Sequence, residues 1–245
     1  GNTVVKERDF GNFWQYNGPC KGDEFYPIQG LYPLPDLHDP TADFAHTYLG
    51  DGNIRHGNAM VEFRIDHPFG TGSFSTRVRL HAGIPRIDIQ TTLVNNDEHV
   101  RYRVAFPTSI THGTIAHEIP FGAIERPEGE FPAQNWVDYS SVAEGTGETR
   151  GVTLLNRGLP GNNVVHGVMM LSLLKCTALE GGYADLKLGP ATEEGYEKGK
   201  THTFDYALVP HGGDWRSAQA YRQGAEFNQP LIAIKPPKKA GRLPP

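Results

Sequence analysis

Three carboxylates, Glu118, Glu125 and Asp138, stand in or beside strand-like sequence with basic neighbours. Two carboxyl groups flanking a bond, one acting as acid and the other as base or nucleophile, are the usual minimum for glycoside hydrolysis. Ordinary surface ion pairs account for the same residues. The eleven histidines offer less. No His-x-His pair and no His-Glu-x-x-His helix occurs. His38 and Asp39 are adjacent, so on a strand they point to opposite faces. His112 and His117 are five apart with no third ligand in view, and a zinc site is not expected. No Gly-x-Ser-x-Gly elbow is present, and neither Cys20 nor Cys176 has a catalytic flank. Gly11, Gly18 and Gly22 are isolated, so no phosphate loop is expected. Aromatic residues form the remaining class. Trp14, Tyr16, Trp136, Tyr139 and Trp215 could stack on the apolar face of a sugar ring, with core packing as the alternative. For Trp215, at the start of an amphipathic stretch, packing is favoured.

The elements that must hold these residues are mostly strands. Val61, Phe63 and Ile65 alternate with Glu62 and Arg64. Phe74, Thr76, Val78 and Leu80 alternate with Ser75, Arg77 and Arg79. Two more runs, Ile87 to Leu93 and Val100 to Phe106, repeat the pattern. Period two implies one buried and one wet face. Turn chemistry separates the runs at Phe69-Gly70-Thr71-Gly72, Ala82-Gly83-Ile84-Pro85 and Asn95-Asn96-Asp97-Glu98. Four such strands in sequence predict an antiparallel meander. Further strands are expected at 115–121, 151–155, 164–174 and 203–209. The run Val168 to Leu174 is apolar on both faces, as in a central strand covered by a second layer. One helix is expected, capped by Asp214, with Trp215, Ala218, Tyr221 and Ala225 at helical spacing. Residues 3–60 read as short strands and long loops.

Glycine and proline, 29 and 19 of 245 residues, are abundant without a repeat period, which fits many tight turns. The net charge is −5 and the basic residues are scattered, so no nucleic-acid partner is expected. No apolar run approaches a membrane span and no signal segment opens the sequence, so no membrane partner is expected either. The compartment is not legible, with a cytoplasmic one the default. The two cysteines read as buried thiols rather than a disulfide framework. Residues 1–234 are expected to form a single β-sandwich domain, and 235–245 a basic, proline-rich tail.

Several segments resemble glycoside hydrolase family 38, the α-mannosidases. His117-Glu118-Ile119-Pro120-Phe121-Gly122-Ala123-Ile124-Glu125-Arg126-Pro127 resembles the family's "EIPFG-x-IERP" signature. Pro132 to Asp138, Gly151 to Asn156 and His166 to Leu174 follow in the family's order. Gly199 to His211 resembles "G-x-H-x-F-x-Y-x-L-x-PH", and Asn228-Gln229-Pro230-Leu231 resembles an Asn-x-Pro-Leu step. Glu7 to Trp14 resembles an opening motif with Asn12 where Asp is usual. The similarity spans roughly residues 7 to 231.

The resemblance implies an all-β fold, a large antiparallel β-sandwich of the galactose-mutarotase-like kind with one short C-terminal helix. It also implies what lies elsewhere. Family members are zinc-dependent retaining enzymes whose metal ligands and aspartate nucleophile sit in an N-terminal barrel. The expectation is therefore a fragment of a larger hydrolase, with no cofactor in this chain and zinc in the catalytic barrel of the same polypeptide. No catalytic and no metal residue is assigned to the chain. Trp14, Arg126 and His202 are the candidates to contact an α-mannoside or related glycan. Two other functions compete: a stand-alone carbohydrate-binding sandwich with Trp14 or Trp136 as platform, and a mutarotase-like epimerase drawing on His112, His117, His202 and Glu118.

Overall fold

The computed structural model describes residues 3–8, 43–44, 53–69, 72–176, 193–229, 231–232 and 234–235. Trp14, Tyr16, Cys20, His38, Asp39 and the tail 236–245 lie outside them. The described strands are β1 (Thr3–Arg8), β2 (Asp43–Phe44), β3 (Asn53–His56), β4 (Met60–Phe69), β5 (Gly72–His81), β6 (Ile87–Val94), β7 (Val100–Pro107) and β8 (Thr114–Ile119). They continue with β9 (Gly122–Arg126), β10 (Gly129–Pro132), β11 (Trp136–Val142), β12 (Thr149–Asn156), β13 (Gly161–Val165), β14 (Val168–Cys176) and β15 (Thr201–Gly212). One helix, α1 (Ala220–Asn228), follows. A nine-stranded sheet has the order β3-β4-β5-β6-β15-β12-β11-β8-β9, and a six-stranded sheet the order β10-β13-β14-β7-β1-β2. Every pairing is antiparallel.

Alternation dictates what the sheets bury between them. Phe74, Ile89, Leu93, Val137, Leu154 and Tyr206 face inward from the large sheet. Val104, Phe106, Val164, Met169 and Leu171 meet them from the small one. Three hydroxyls are threaded through this core. Thr76 Oγ1 lies 3.2 Å from Thr91 Oγ1, which lies 2.7 Å from the Tyr206 hydroxyl, so these buried polar atoms satisfy one another. A second core lies on the outer face of the large sheet, where Ala220 and Phe227 of the helical segment cover Trp136, Leu155, Ala207 and Val209. At the β3–β5 end Ile54, Phe63 and Leu80, on the inward side, are exposed.

The four-strand meander is corrected to three of its strands. β4, β5 and β6 are consecutive neighbours, but β7 belongs to the other sheet. Asn95, fully buried, makes that crossing. Its Nδ2 donates to Asp97 O (2.8 Å) and Tyr196 O (2.6 Å), and its Oδ1 accepts from the Tyr102 hydroxyl (2.8 Å) and Asp97 N (3.1 Å). The wet face expected for β7 is also corrected. Arg101 and Arg103 are buried because β7 is an interior strand, and the Arg101 guanidinium is paired with Glu130.

Two further boundaries shift. The single strand expected over 164–174 is a hairpin of β13 and β14, turned at His166 (φ 48°) and Gly167 (φ 79°). Two consecutive positive φ values are what a two-residue type I′ hairpin turn requires. Asp214 caps a separate turn, accepting from Ser217 N (2.9 Å), and α1 begins only after Gln219 at φ 53°. The covered central strand is as expected: β14 lies between β13 and β7, with Met169, Met170 and Leu171 buried.

Replacing Asn95 by alanine removes four hydrogen bonds at about 1 kcal/mol net each. A loss of roughly 2–4 kcal/mol is expected in urea unfolding, with Asn95→Asp at least as costly because it turns a buried carboxylate oxygen toward the Asp97 and Tyr196 carbonyls.

Candidate functional site

The outer face of the large sheet gathers the carboxylates. Register places Asp138 of β11 opposite Ala116 of β8, and Ala116 opposite Glu125 of β9. Glu118 lies two residues along β8 and so shares the face. Each is already engaged. Glu118 Oε2 accepts from the backbone N of Asn135 at 2.6 Å, while its carbonyl accepts from Gln134 N at 3.1 Å. Glu125 lies 3.8 Å from exposed Arg216. The ion-pair reading suits Glu125, whereas Asp138 is buried beneath the surface.

Asp138 forms the densest polar cluster on this face. His211 Nε2 of β15 lies 2.7 Å from Asp138 Oδ2, and Thr153 Oγ1 of β12 donates to the same oxygen at 2.7 Å. Thr153 Oγ1 is also 3.1 Å from His211 Nε2. Three strands converge because Asp138, Thr153 and Val209 share one register row and Ser140, Gly151 and His211 the next. Gly151 makes room for the ring: a Cβ there would lie 2.6 Å from His211 Cε1. Burial alone would lower the His211 pKa. The hydrogen bond and charge of Asp138 outweigh it, and the net shift is upward. With Asp138 fully covered, the pair braces three strands and offers no carboxylate to a substrate.

His117 is the opposite case. It faces the inner side of β8, fully buried, with both ring nitrogens unpartnered and its ring edge-on to Phe131 at 5.7 Å. Burial, helped by the Arg126 charge, lowers its pKa to about 4.

Arg126 Nη1 donates to Pro132 O at 2.8 Å and its guanidinium lies over the Phe131 ring. His202 Nε2 is 3.2 Å from Glu197 Oε2, and its ring stacks beside Phe204. These two candidates are not brought together. They stand four strand spacings apart across the sheet, about 19 Å, and Arg126 shares its register row with Pro210, roughly 27 Å along β15 from His202. Trp14 lies outside the described residues. Trp136 and Tyr139 are corrected as sugar platforms, since both are buried in the two cores. Trp215 packs on Trp136 at 5.3 Å between ring centroids, as expected. The epimerase set is dispersed, with His117 sealed in and His202 and Glu118 held by other partners. Among the described residues no three His, Cys, Asp or Glu side chains converge as a metal site.

Residues 51–179 match the family described as glycosyl hydrolases family 38 C-terminal domain. The chain belongs to glycoside hydrolase family 38. Within it, the chain is similar to alpha-mannosidase 2C1 of Mus musculus, with 29% identity over 194 residues, covering 78% of this chain and 17% of that protein. It is also similar to an alpha-mannosidase of Saccharomyces cerevisiae, with 28% identity over 171 residues, 65% of this chain and 14% of that one. Among solved structures, an alpha-mannosidase from Enterococcus faecalis shares the fold. Its TM-score is 0.78 at 18% identity, covering 98% of this chain and 29% of that chain. The family 38 segment in hand therefore spans about a sixth of the first of these relatives.

His211 and Thr153 stand inside family-like motifs and carry no residue-level signal of their own. The available signal was Asp138 itself, an acid between Trp136 and Ser140 on one face of a strand.

Two measurements follow from these geometries. Asp138→Ala breaks a buried pair and is expected to cost roughly 3–5 kcal/mol. The loss is fullest below pH 6.5, the ordinary histidine value, and fades as pH rises through the elevated value of His211. NMR titration of the His211 ring is expected to move downward in the same variant. His117 acts in the other direction. Its neutral form is favoured above pH 6.5, and the protein loses up to about 3 kcal/mol as pH falls from there to about 4. His117→Leu is expected to show a shallower acid-side fall in denaturant midpoint; an unchanged slope would contradict this account of the ring.

Proposed function

We propose that this chain is the accessory β-sandwich of a family 38 α-mannosidase. It packs against the catalytic barrel of the same polypeptide and completes the wall of the glycan site. The observation that carries this reading is the match of residues 51–179 to a domain defined as C-terminal in the family. It is supported by the fold shared with the Enterococcus faecalis enzyme over nearly the whole chain but under a third of that enzyme. The internal chemistry agrees with it. Of the three candidate carboxylates, Asp138 is fully covered, Glu118 is tied to backbone and Glu125 stands at an open edge, so none of them forms an acid–base pair across a cavity.

The zinc implied by the family belongs to the barrel in this reading. The described residues of the chain supply no set of ligands to fit it. Trp14, Arg126 and His202 remain the proposed glycan-side residues. Arg126 is held by Pro132 O and Phe131, and His202 by Glu197 and Phe204.

The isolated chain is expected to give no turnover of an aryl α-mannoside with zinc supplied. Steady hydrolysis by the chain alone would overturn the accessory reading.

A further inference from the structure

The β8–β9 hairpin ends in a two-residue turn, Pro120-Phe121, between paired Ile119 and Gly122. Proline at the first position and φ 68° at Phe121 give the φ pattern of a type II turn, whose second position belongs to glycine or asparagine. A bulky aromatic in the left-handed region is strained. Nothing within the described fold compensates for it, since the Phe121 side chain is 109% exposed relative to a free reference. The hairpin thus holds phenylalanine where both backbone and solvent disfavour it. Such an outlier motivates a functional reading.

The mount beneath it is rigid. β8 pairs with β11, and Glu118 is fixed by side chain and carbonyl to Asn135 and Gln134. Arg126, at the far end of β9, is tied to Pro132. Ile124 is also exposed on the same short strand. A stiff mount and an aromatic tip form a preorganised anchor, which loses little freedom on docking.

We propose that Phe121 is an anchor by which this sandwich docks onto the catalytic part of its own mannosidase polypeptide, seating its ring in an apolar cleft there. The inference rests on the accessory reading above and names the contact through which it acts. The hairpin lies inside the segment that matches a C-terminal domain. In the mouse relative 17% of the protein aligns with this chain, so most of the length of such a polypeptide is available as the partner.

The test places a photo-crosslinking amino acid at position 121 of the complete mannosidase polypeptide and maps the products. Crosslinks to the catalytic part of the same molecule are expected. Crosslinks only to a second copy, or none, would overturn the anchor. Phe121→Gly separates anchoring from folding. Because glycine relaxes the turn, the isolated chain should melt unchanged or slightly higher. In the complete polypeptide the same variant should be cut several-fold faster by protease between the two parts. An equal loss of melting temperature in both forms would make Phe121 a folding residue and defeat the proposal. Unchanged proteolysis with a raised KM would place the ring at the glycan instead, and defeat it as well. Should the isolated chain hydrolyse mannoside unaided, the accessory reading fails by its own assay, whatever position 121 does.

Discussion

One buried amide fixes how the two sheets meet. Asn95 stands where β6 ends and the chain leaves the nine-stranded sheet for β7 in the six-stranded one. Its side chain reaches Asp97 within the crossing, Tyr102 on the strand beyond, and Tyr196 in the 3-10 turn ahead of β15. Its own carbonyl accepts from Gly199 N at 2.7 Å, just before β15 begins. The crossing, the start of β7 and a segment 101 residues further on thus converge on one residue that cannot reach water. A polar hub of this kind is favourable only when every bond is made, so it selects one relative placement of the sheets more sharply than apolar contact does.

The outer face of the large sheet repeats this logic at higher charge. Asp138 and His211 are packed where a hydrophobic pair of similar volume would be as stable or more so. What the pair adds is register. A one-residue slip of β15 against β12 would turn His211 to the other face and leave Asp138 without its imidazole partner. Gly151 is the complement, a position whose missing side chain is occupied by the imidazole. The cluster therefore reads as architecture, which agrees with a family segment whose proposed chemistry lies elsewhere in the polypeptide.

Much of the fold was legible because alternation is a local signal. The runs at 61–65, 74–80, 87–93 and 100–106 all became strands, and Met169 to Leu171 are covered as their unbroken apolarity required. Partnership was not legible. Nothing local distinguishes β7 from a fourth meander strand, and its arginines looked solvated because their counterpart Glu130 is 29 residues away. The His166-Gly167 turn was missed because apolar residues run up to it on both sides and His-Gly is not one of the Asn-Gly or Asp-Gly pairs that signal a type I′ hairpin. The helix start was misplaced for a related reason: the apolar spacing from Trp215 onward is helical, and only the left-handed Gln219 interrupts it. At the candidate site, Glu118, Glu125 and Asp138 were visible as residue types. Their separate fates depended on pairings across β8, β9, β11 and β15, which spacing does not encode.

The position of β15 has a consequence for how the chain acquires its structure. The last of the described strands sits in the middle of the larger sheet, with β6 on one side and β12 on the other. Its partners are remote, as the contact between Thr91 and Tyr206 across 115 residues shows. Until residues 201–212 emerge, the β3–β6 meander and the group of β8, β9, β11 and β12 have no hydrogen-bonded seam between them. Closing loops of that size precedes any gain from the pairing, which makes such topologies slow to form. During synthesis, two half-sheets must wait with raw edges until residues 201–212 have been made.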